Sequence, residues 1–324
     1  MNLITKVLKK IKYLIIRNIF PKESEKYKIL LAQNIAINKN SLTSINDFGD
    51  VEFSCFSQWG EDGIINWLVS KLPKIPKKFV EFGVENYRES NTRLLLQSHN
   101  WQGLIIDSSS DNIQDIKTQD ISWRHQIQSV CAHISKDNIN QLLEKNGMTS
   151  DIGLLSIDID GNDYYVWQSI NIIKPVIVIV EYNAVLGDLH PITIPYRSDF
   201  FRTKAHSSNL YFGASLQALI KLGKEKDYTF VGTNTNGVNA FFIRDDFAPK
   251  ITSLLSSISA YPSVSREARD TDGKLTFQSG LDRLAIIRDC KIFNIANNEM
   301  TKIDKLGKIY SAEWHAGTKN NYKI

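Results

Sequence analysis

Short, nearly continuous apolar segments alternate with helical patterns along this chain and constrain its fold more than any other feature. They cover residues 78–84, 103–107, 127–134, 153–158 and 175–181. Strands that are buried on both faces have such runs, whereas strands with one solvated face alternate apolar and polar residues. The pattern therefore predicts a doubly wound α/β fold, in which helices cover both faces of a parallel sheet.

A sixth and a seventh apolar segment follow, at residues 228–232 and 238–243, and they flank Asn236-Gly237. An Asn-Gly pair between two such segments is a strong signal for an antiparallel hairpin. Five parallel strands followed by a hairpin predict a mostly parallel seven-stranded sheet with a C-terminal antiparallel hairpin. This is the order expected of a class I methyltransferase sheet.

The remaining segments extend this central unit at both ends. We expect three parts: residues 1–50 as an N-terminal basic amphipathic helix and connector, 51–248 as the Rossmann-like domain, and 249–324 as a C-terminal extension. Pro21 is expected to end the first helix, which leaves residues 22–50 as the connector. In the extension, a helix is predicted over 251–258 and a second hairpin over 292–303.

The first 20 residues combine apolar positions at helical spacing with five basic residues. Arg17 interrupts the apolar part and no small-residue cleavage site follows, so a signal peptide is not predicted. Two interpretations remain open: peripheral contact with an anionic membrane surface, or packing on this protein or on a sister subunit of an oligomer. The first would place a cytoplasmic protein at the inner face of the membrane.

Composition narrows the function classes. The net charge of +4 is too small to indicate a nucleic-acid partner. The three cysteines, at positions 55, 131 and 290, show no metal-ligand spacing, which favours reduced thiols in the cytoplasm. No apolar run approaches the ~20 residues that span a bilayer.

Acidic and polar residues end most of the predicted strands. They are Glu81, Asp107, Asp158 with Asp160, and Glu181 with Asn183. Ligands of open α/β sheets bind outside the carboxyl ends of the strands. We therefore expect these side chains to share one ligand site.

The first two strand ends suit a nucleoside cofactor. Glu81 precedes Gly83, whose turn lets the backbone approach a ligand, and the carboxylate is suited to a cationic amino group. Asp107 is placed to accept hydrogen bonds from ribose hydroxyls, although a helix cap would use the same residue type. No GxGxxG is present, so this is not the dinucleotide motif. Asn86 occupies the loop where a second glycine is common, and asparagine tolerates a left-handed backbone.

The fourth strand is followed by three carboxylates, Asp158, Asp160 and Asp163, around Gly161. Such close like charges require a cation, a proton or a basic partner. Hard oxygen ligands suit Mg²⁺, Ca²⁺ or Mn²⁺, and Glu181 and Asn183 would complete a site with Asp158 and Asp160. The alternative is that some of these acids cap the next helix, with Asp163 the best candidate for the helix dipole.

Taken together, six motifs resemble the FkbM-type methyltransferases over about residues 53 to 245. They are SQWGEDG at 57–63, FVEFGVE at 79–85, SNTR at 90–93, WQGLIID at 101–107, SIDIDGNDY at 156–164 and EYN at 181–183. The resemblance implies S-adenosylmethionine as cofactor and O-methylation of a hydroxyl, often on a sugar. The implied and neighbouring cofactor candidates are Glu81, Gly83, Asn91, Thr92, Asp107, Ser108, His133 and Asp158.

A sugar hydroxyl is a weak nucleophile and needs a base or a metal. Asp158, Asp160 and Glu181 are the expected catalytic acids, and His190 is the best histidine for a general base, although a loop histidine is more often only solvated. The predicted acceptor is a small molecule or glycan, such as a surface polysaccharide or its precursor. Two other functions stay open: a non-catalytic membrane-surface component of a polysaccharide-assembly complex, and an NAD-dependent sugar enzyme.

Overall fold

The computed structural model describes residues 21–322, and a seven-stranded sheet forms its centre. In chain order its strands are β1 (Lys78–Phe82), β2 (Gln102–Asp107), β3 (Ile127–Cys131), β4 (Asp151–Ile157), β5 (Lys174–Glu181), β7 (Tyr228–Thr233) and β8 (Asn239–Arg244). They lie side by side as β3-β2-β1-β4-β5-β8-β7. The pairs among β1 to β5 are parallel, and β8 runs antiparallel to both β5 and β7. The predicted class I methyltransferase sheet is confirmed.

Continuous apolar sequence translates into burial on both faces of the central strands. Successive side chains of a strand point to opposite faces. In β4 and β5, every residue after the first is buried, so both faces are covered. The helices that surround the sheet are α1 (Pro21–Asn40), α2 (Glu61–Lys71), α3 (Arg93–His99), α4 (Ser110–Thr118), α5 (Ile121–Arg124), α6 (Ile139–Lys145), α7 (Asp163–Ser169), α8 (Arg202–Ala205), α9 (Leu216–Glu225), α10 (Ala248–Thr252), α11 (Asp282–Ile287) and α12 (Ala312–His315).

The prediction of a connector over residues 22–50 is wrong, because α1 spans Pro21–Asn40. Its polar sequence shows little amphipathic pattern, and tertiary contacts hold it instead. Glu25 forms an ion pair with the buried Arg93 of α3 at 2.6 Å, and Ala32 packs with Phe56 and Leu94. The basic amphipathic helix predicted over residues 1–20, with its membrane contact, lies outside the described residues. None of the helices between residues 21 and 322 has the length and apolar character to cross a bilayer.

The C-terminal residues pack into the same core as the sheet. The helix predicted over 251–258 is wrong: α10 ends at Thr252, and β9 (Ile258–Ala260) pairs antiparallel with β12 (Asn320–Tyr322). The second predicted hairpin is confirmed as β10 (Lys291–Asn294) and β11 (Glu299–Lys302), and β10 also pairs with β6 (Ile192–Thr193). Trp314 of α12 is 1% exposed within the main hydrophobic core.

The SQWGEDG motif stabilises the loop that precedes α2 and the first turn of that helix. One carboxylate oxygen of Asp62, Oδ2, accepts hydrogen bonds from the backbone N–H groups of Cys55, Phe56 and Ser57 and from the Ser57 hydroxyl, at 2.6–2.9 Å. Asp62 is 1% exposed, and burial raises the pKa of its carboxyl group to about 6. The Asp62 carboxylate thereby accepts the hydrogen bonds of backbone N–H groups in a loop that has no partner in a helix or strand.

Glu61, the neighbouring acid, ties α2 to the far side of the sheet. Its Oε1 accepts hydrogen bonds from the side-chain amides of Asn234 and Asn239, each at 2.8 Å, and its Oε2 accepts from the backbone N–H groups of Trp59 and Gly60. Asn234 lies in the turn between β7 and β8, and Asn239 is the first residue of β8. The motif therefore connects α2 with the antiparallel hairpin of the central sheet.

We expect Asp62→Ala to lower the free energy of unfolding by on the order of 3 kcal/mol, because several buried N–H groups lose their acceptor. Urea denaturation followed by circular dichroism measures this change. Asp62→Asn is the matched control, since it retains one acceptor oxygen and should lose less. A decrease in the free energy of unfolding below about 1 kcal/mol for Asp62→Ala would contradict this stabilising role.

Candidate active site

A cleft of about 970 Å³ opens along the carboxyl edge of the sheet. Residues from the ends of β1, β2, β3, β4 and β5 line one side, and the segments around residues 200–212 and 263–283 line the other. Among the predicted site residues, those that line it are Glu81, Gly83, Asn91, Asp107, Ser108, His133, Asp158, Asp160, Glu181 and Asn183. The structure therefore brings together the acids of four strand ends, as expected of an open α/β sheet.

Gly83 sets the closest approach between β1 and β4. Its φ is +71°, and a Cβ placed there would lie 1.6 Å from the carbonyl oxygen of Asp158. No other residue type fits without moving the backbone. The left-handed conformation expected for Asn86 is instead taken by its neighbours Glu85 and Tyr87, with φ of 46° and 60°.

Glu81 is buried beneath the loop that precedes α3. Its carboxylate accepts hydrogen bonds from the Ser90 hydroxyl and the Asn91 N–H, each at 2.8 Å, and from the N–H and hydroxyl of Thr92. Burial raises the pKa of the Glu81 carboxyl group, and these hydrogen bonds oppose that shift. Thr92 is fully buried and does not line the cleft, so it supports Glu81 from behind, whereas Asn91 faces the cleft and donates to Ser156 at 3.0 Å.

Asp107 lies at the end of β2, where it both joins two loops and borders the cleft. It accepts hydrogen bonds from the Glu85 N–H and the Ser109 N–H, each at 2.8 Å, and from the Asn112 amide at 3.2 Å. It thus holds the loop after β1 against the start of α4, while its side chain still lines the cleft. Ser108 follows it on the cleft wall.

His133 lies beyond the end of β3 at the outer part of the cleft. The residue is exposed, its Nε2 lies 2.8 Å from the Ser198 carbonyl oxygen, and its ring is 5.4 Å from that of Phe201. His133 and Phe201 both line the cleft. Aromatic rings at the wall of a cleft are suited to stacking on a nucleobase.

The three acids after β4 and β5 form one cluster. Ile157 pairs with Val180, so Asp158 and Glu181 are the next residues on adjacent strands. Oxygen atoms of Asp158, Asp160 and Glu181 all lie within 4.8 Å of one another. Such a cluster requires compensation, and Arg202 provides part of it.

Arg202 was not predicted as a site residue. Its Nη1 lies 2.6 Å from Asp160 and its Nη2 lies 3.4 Å from Glu267, while its Nε donates to the Asn209 carbonyl. The guanidinium also stacks over Phe212 at 3.9 Å. Arg202 lies 42 residues after Asp160 in a segment without a motif, so only the tertiary fold reveals the pair.

Asp158 and Glu181 lack the backbone donors that satisfy the other buried acids. Burial raises the pKa of both carboxyl groups well above their usual values. Repulsion from Asp160 and Asp163 adds to the shift of Asp158, and repulsion from Asp158 and Asp160 adds to that of Glu181. A hydrogen bond between the two opposes the shift for Asp158, and Oε2 of Glu181 is buried without a hydrogen-bond partner among the described residues. The pair can therefore hold a proton more readily than isolated carboxyl groups do.

Asp163 lies in the first turn of α7, the position expected for an acid that interacts with the helix dipole. It is the first residue of α7, and its carboxylate accepts hydrogen bonds from the Ile159 N–H at 2.8 Å and the Gly161 N–H at 2.9 Å. These bonds close the turn that carries Asp158 and Asp160. Burial raises the pKa of Asp163 to about 6.

Two predicted site residues do not have the expected surroundings. His190 lies outside the lining of the cleft, and its Nε2 is 2.9 Å from the Lys308 carbonyl oxygen, so it is not placed to act as a general base there. Asn183 faces the cleft, but its side chain accepts from the Val185 N–H and donates to the Leu210 and Phe212 carbonyls. Asn183 is thus a cap of the turn after β5, not a free metal ligand.

Comparison with known proteins gives no matching family model and no matching curated protein. Solved structures with a similar fold include an S-adenosylmethionine-dependent methyltransferase from Clostridium acetobutylicum, with 9% identity, 74% of this chain and 99% of that chain covered, and a TM-score of 0.34. An O-methyltransferase from Bacillus cereus in complex with SAH has 11% identity, coverage of 72% and 96%, and a TM-score of 0.37. A putative O-methyltransferase from Klebsiella pneumoniae has 14% identity, coverage of 72% and 96%, and a TM-score of 0.37. Because these TM-scores are below 0.5, the strand order and the cleft carry the proposals below.

The Asp158–Glu181 pair predicts a pH dependence of stability. Because the pKa values of the pair are raised, the folded chain binds protons more tightly than the unfolded chain does. The pair therefore stabilises the fold at low pH, and this contribution is lost as pH rises from about 4 through the raised pKa values. In Asp158→Asn, the free energy of unfolding should fall less steeply over that range. Urea denaturation at successive pH values measures the slope, and Glu181→Gln should change it in the same direction. Wild-type slopes in both variants would contradict the shared proton.

Proposed function

We propose that this protein is an S-adenosylmethionine-dependent methyltransferase that O-methylates a sugar hydroxyl of a surface polysaccharide or of its precursor. The observation that carries the proposal is that Glu81, Asp107 and Asp158, which end three different strands, line one cleft of a class I methyltransferase sheet. The sugar acceptor rests on the resemblance to the FkbM-type methyltransferases and on the polar residues that line the cleft.

The walls at the ends of β1, β2 and β3 fit a sulfonium nucleoside. The Glu81 carboxylate and the loop of Asn91 would hold the amino acid moiety, Asp107 with Ser108 the ribose, and the wall of His133 the base. When bound, S-adenosylmethionine supplies an electrophilic methyl group. Gly83 lies in the same part of the cleft lining.

Asp158 and Glu181 are the residues best placed to activate the acceptor. A sugar hydroxyl must lose its proton as it attacks, and a carboxylate with a raised pKa is a suitable acceptor for that proton. Asp158 would take the proton, and Glu181 would share it through their hydrogen bond. Arg202, paired with Asp160, limits the repulsion that would otherwise build up around the deprotonated pair. The remainder of catalysis is alignment of the hydroxyl with the methyl group.

A divalent metal such as Mg²⁺ is the second candidate for activating the hydroxyl. The oxygen atoms of Asp158, Asp160 and Glu181 are close enough together to coordinate one ion, and hard oxygen ligands suit Mg²⁺. The Arg202 guanidinium already occupies one oxygen of Asp160, so the proton-sharing pair is the arrangement that the contacts favour.

Isothermal titration with S-adenosylhomocysteine and with NAD tests the cofactor. We expect S-adenosylhomocysteine to bind, NAD not to bind, and Asp107→Ala to weaken S-adenosylhomocysteine at least about tenfold through loss of charge-assisted hydrogen bonds. Asp111→Ala, at an exposed position at the start of α4, is the matched control and should bind normally. Binding of neither ligand would favour the non-catalytic assembly component, and binding of NAD alone would favour the sugar dehydrogenase.

Transfer of a labelled methyl group to a panel of sugars and nucleotide sugars tests the base. Asp158→Asn should lower the rate by about 10² to 10⁴, the usual contribution of a positioned base, with S-adenosylhomocysteine affinity within a few-fold of wild type. Asp199→Asn, at an exposed position outside the cleft lining, should leave the rate unchanged. Methyl transfer by Asp158→Asn within a few-fold of wild type would remove the proposed base.

Chelation separates the two ways of activating the hydroxyl. If the acid pair acts alone, the rate after EDTA treatment should equal the rate with added Mg²⁺. A rate that disappears with EDTA and returns with Mg²⁺ would replace the proton-sharing pair with a metal at the same three acids.

A further inference from the structure

Arg283 is a buried cation on the cleft wall that the proposed mechanism does not use. It belongs to α11, its side chain lines the cleft, and the residue is only 5% exposed. Its Nε donates to the Gly280 carbonyl at 3.1 Å, and its Nη2 donates to the Ser263 carbonyl at 3.0 Å. Its Nη1 makes no hydrogen bond within the described part of the chain.

Arg283 differs from the other arginines of the cleft in having no counter-charge. Arg202 pairs with Asp160 and Glu267, and Arg269 lies 3.5 Å from Glu267. No carboxylate between residues 21 and 322 forms an ion pair with Arg283. The nearby Tyr310 does not supply a charge either, because burial raises the pKa of its phenol and keeps it neutral.

A buried guanidinium without an anion is unfavourable, since two carbonyl dipoles offset only part of its lost hydration. Burial accordingly lowers the pKa of Arg283. The planar fork of arginine matches carboxylate and phosphate oxygens, and Arg283 lines the cleft with one guanidinium nitrogen, Nη1, not hydrogen-bonded to the described residues. The hydroxyl-bearing residues Ser263 and Ser265 line the same part of the wall.

The position of Arg283 separates it from the cofactor wall. Helix α11 contacts the turn Ala184–Leu186 that follows β5. The proposed cofactor residues follow β1, β2 and β3, and β4 lies between β1 and β5, which places β5 about 10 Å from β1. An anion at Arg283 would therefore belong to the molecule beside Asp158 and Glu181, which is the acceptor.

We propose that Arg283, with Ser263 and Ser265, forms an anion subsite that binds a phosphate or carboxylate group of the methyl acceptor. The assignment of the anion to the methyl acceptor rests on the proposed function. Anion binding at Arg283 can be measured without an activity assay. It narrows the acceptor from sugars in general to sugars that carry a negative charge close to the methylated hydroxyl.

The thermal midpoint in inorganic phosphate, compared with chloride at equal ionic strength, tests the subsite directly. The wild-type Tm should rise by about 2 °C or more at saturating phosphate. Arg283→Met should lose this response and should have a Tm in chloride equal to or above wild type, because an uncompensated buried charge is removed. A merely structural Arg283 predicts the opposite, a lower Tm in chloride. Arg288→Met, an exposed position directly after the same helix, should respond to phosphate as wild type does.

A phosphate response that is absent in the wild type, or equal in wild type and Arg283→Met, overturns the subsite. Glucuronate in place of phosphate distinguishes the two sources of negative charge, since a larger response identifies the preferred group. Arg283→Lys keeps the charge without the fork and should recover only part of the response. Titration with S-adenosylhomocysteine on the same variants reports the cofactor site separately, so a failure of the proposed function and a failure of the subsite give different results.

Discussion

Burying carboxylates at the rim of an apolar sheet is unfavourable unless each receives hydrogen-bond donors or a counter-charge, and this constraint organises the molecule. Most of the buried acids are satisfied by backbone N–H groups. Asp62 closes the loop before α2, Glu81 holds the loop before α3, and Asp163 closes the turn after β4. Each of these acids connects a strand or helix end to a loop, and among the three Glu81 also lines the cleft.

Asp158 and Glu181 are the exception, and this difference distinguishes the proposed catalytic acids from the acids that stabilise the fold. They share a hydrogen bond with each other, and Oε2 of Glu181 has no partner among residues 21–322. A carboxylate that accepts hydrogen bonds from N–H groups is stabilised in its charged form, which opposes protonation. Two adjacent carboxyl groups without such donors are stabilised when they hold a proton. The same comparison applies to cations: Arg202 is compensated by acids, and Arg283 is not. Both the Asp158–Glu181 pair and Arg283 line the cleft.

Local sequence patterns identified the sheet and the acidic strand ends because both follow from burial and from chain direction. They did not identify α1, since its polar sequence is held by the ion pair of Glu25 with Arg93 rather than by an apolar stripe. They also misplaced His190, because a loop histidine carries no information on which carbonyl it will contact. Asn183 follows strand β5 as expected, but its side-chain amide caps the next turn. Residue spacing alone does not distinguish this role from metal coordination.

By itself, the sequence determined that the chain would form a parallel sheet with a terminal hairpin and that acids would gather at its carboxyl edge. Continuous apolar runs and their order are local properties, and they are sufficient for that conclusion. Only the tertiary structure decided which acids accept hydrogen bonds from backbone N–H groups, which lie beside another acid, and which arginines are paired. These outcomes depend on contacts such as Arg202 with Asp160 and Arg283 with Ser263, which join segments that are separated in sequence and that no local pattern relates.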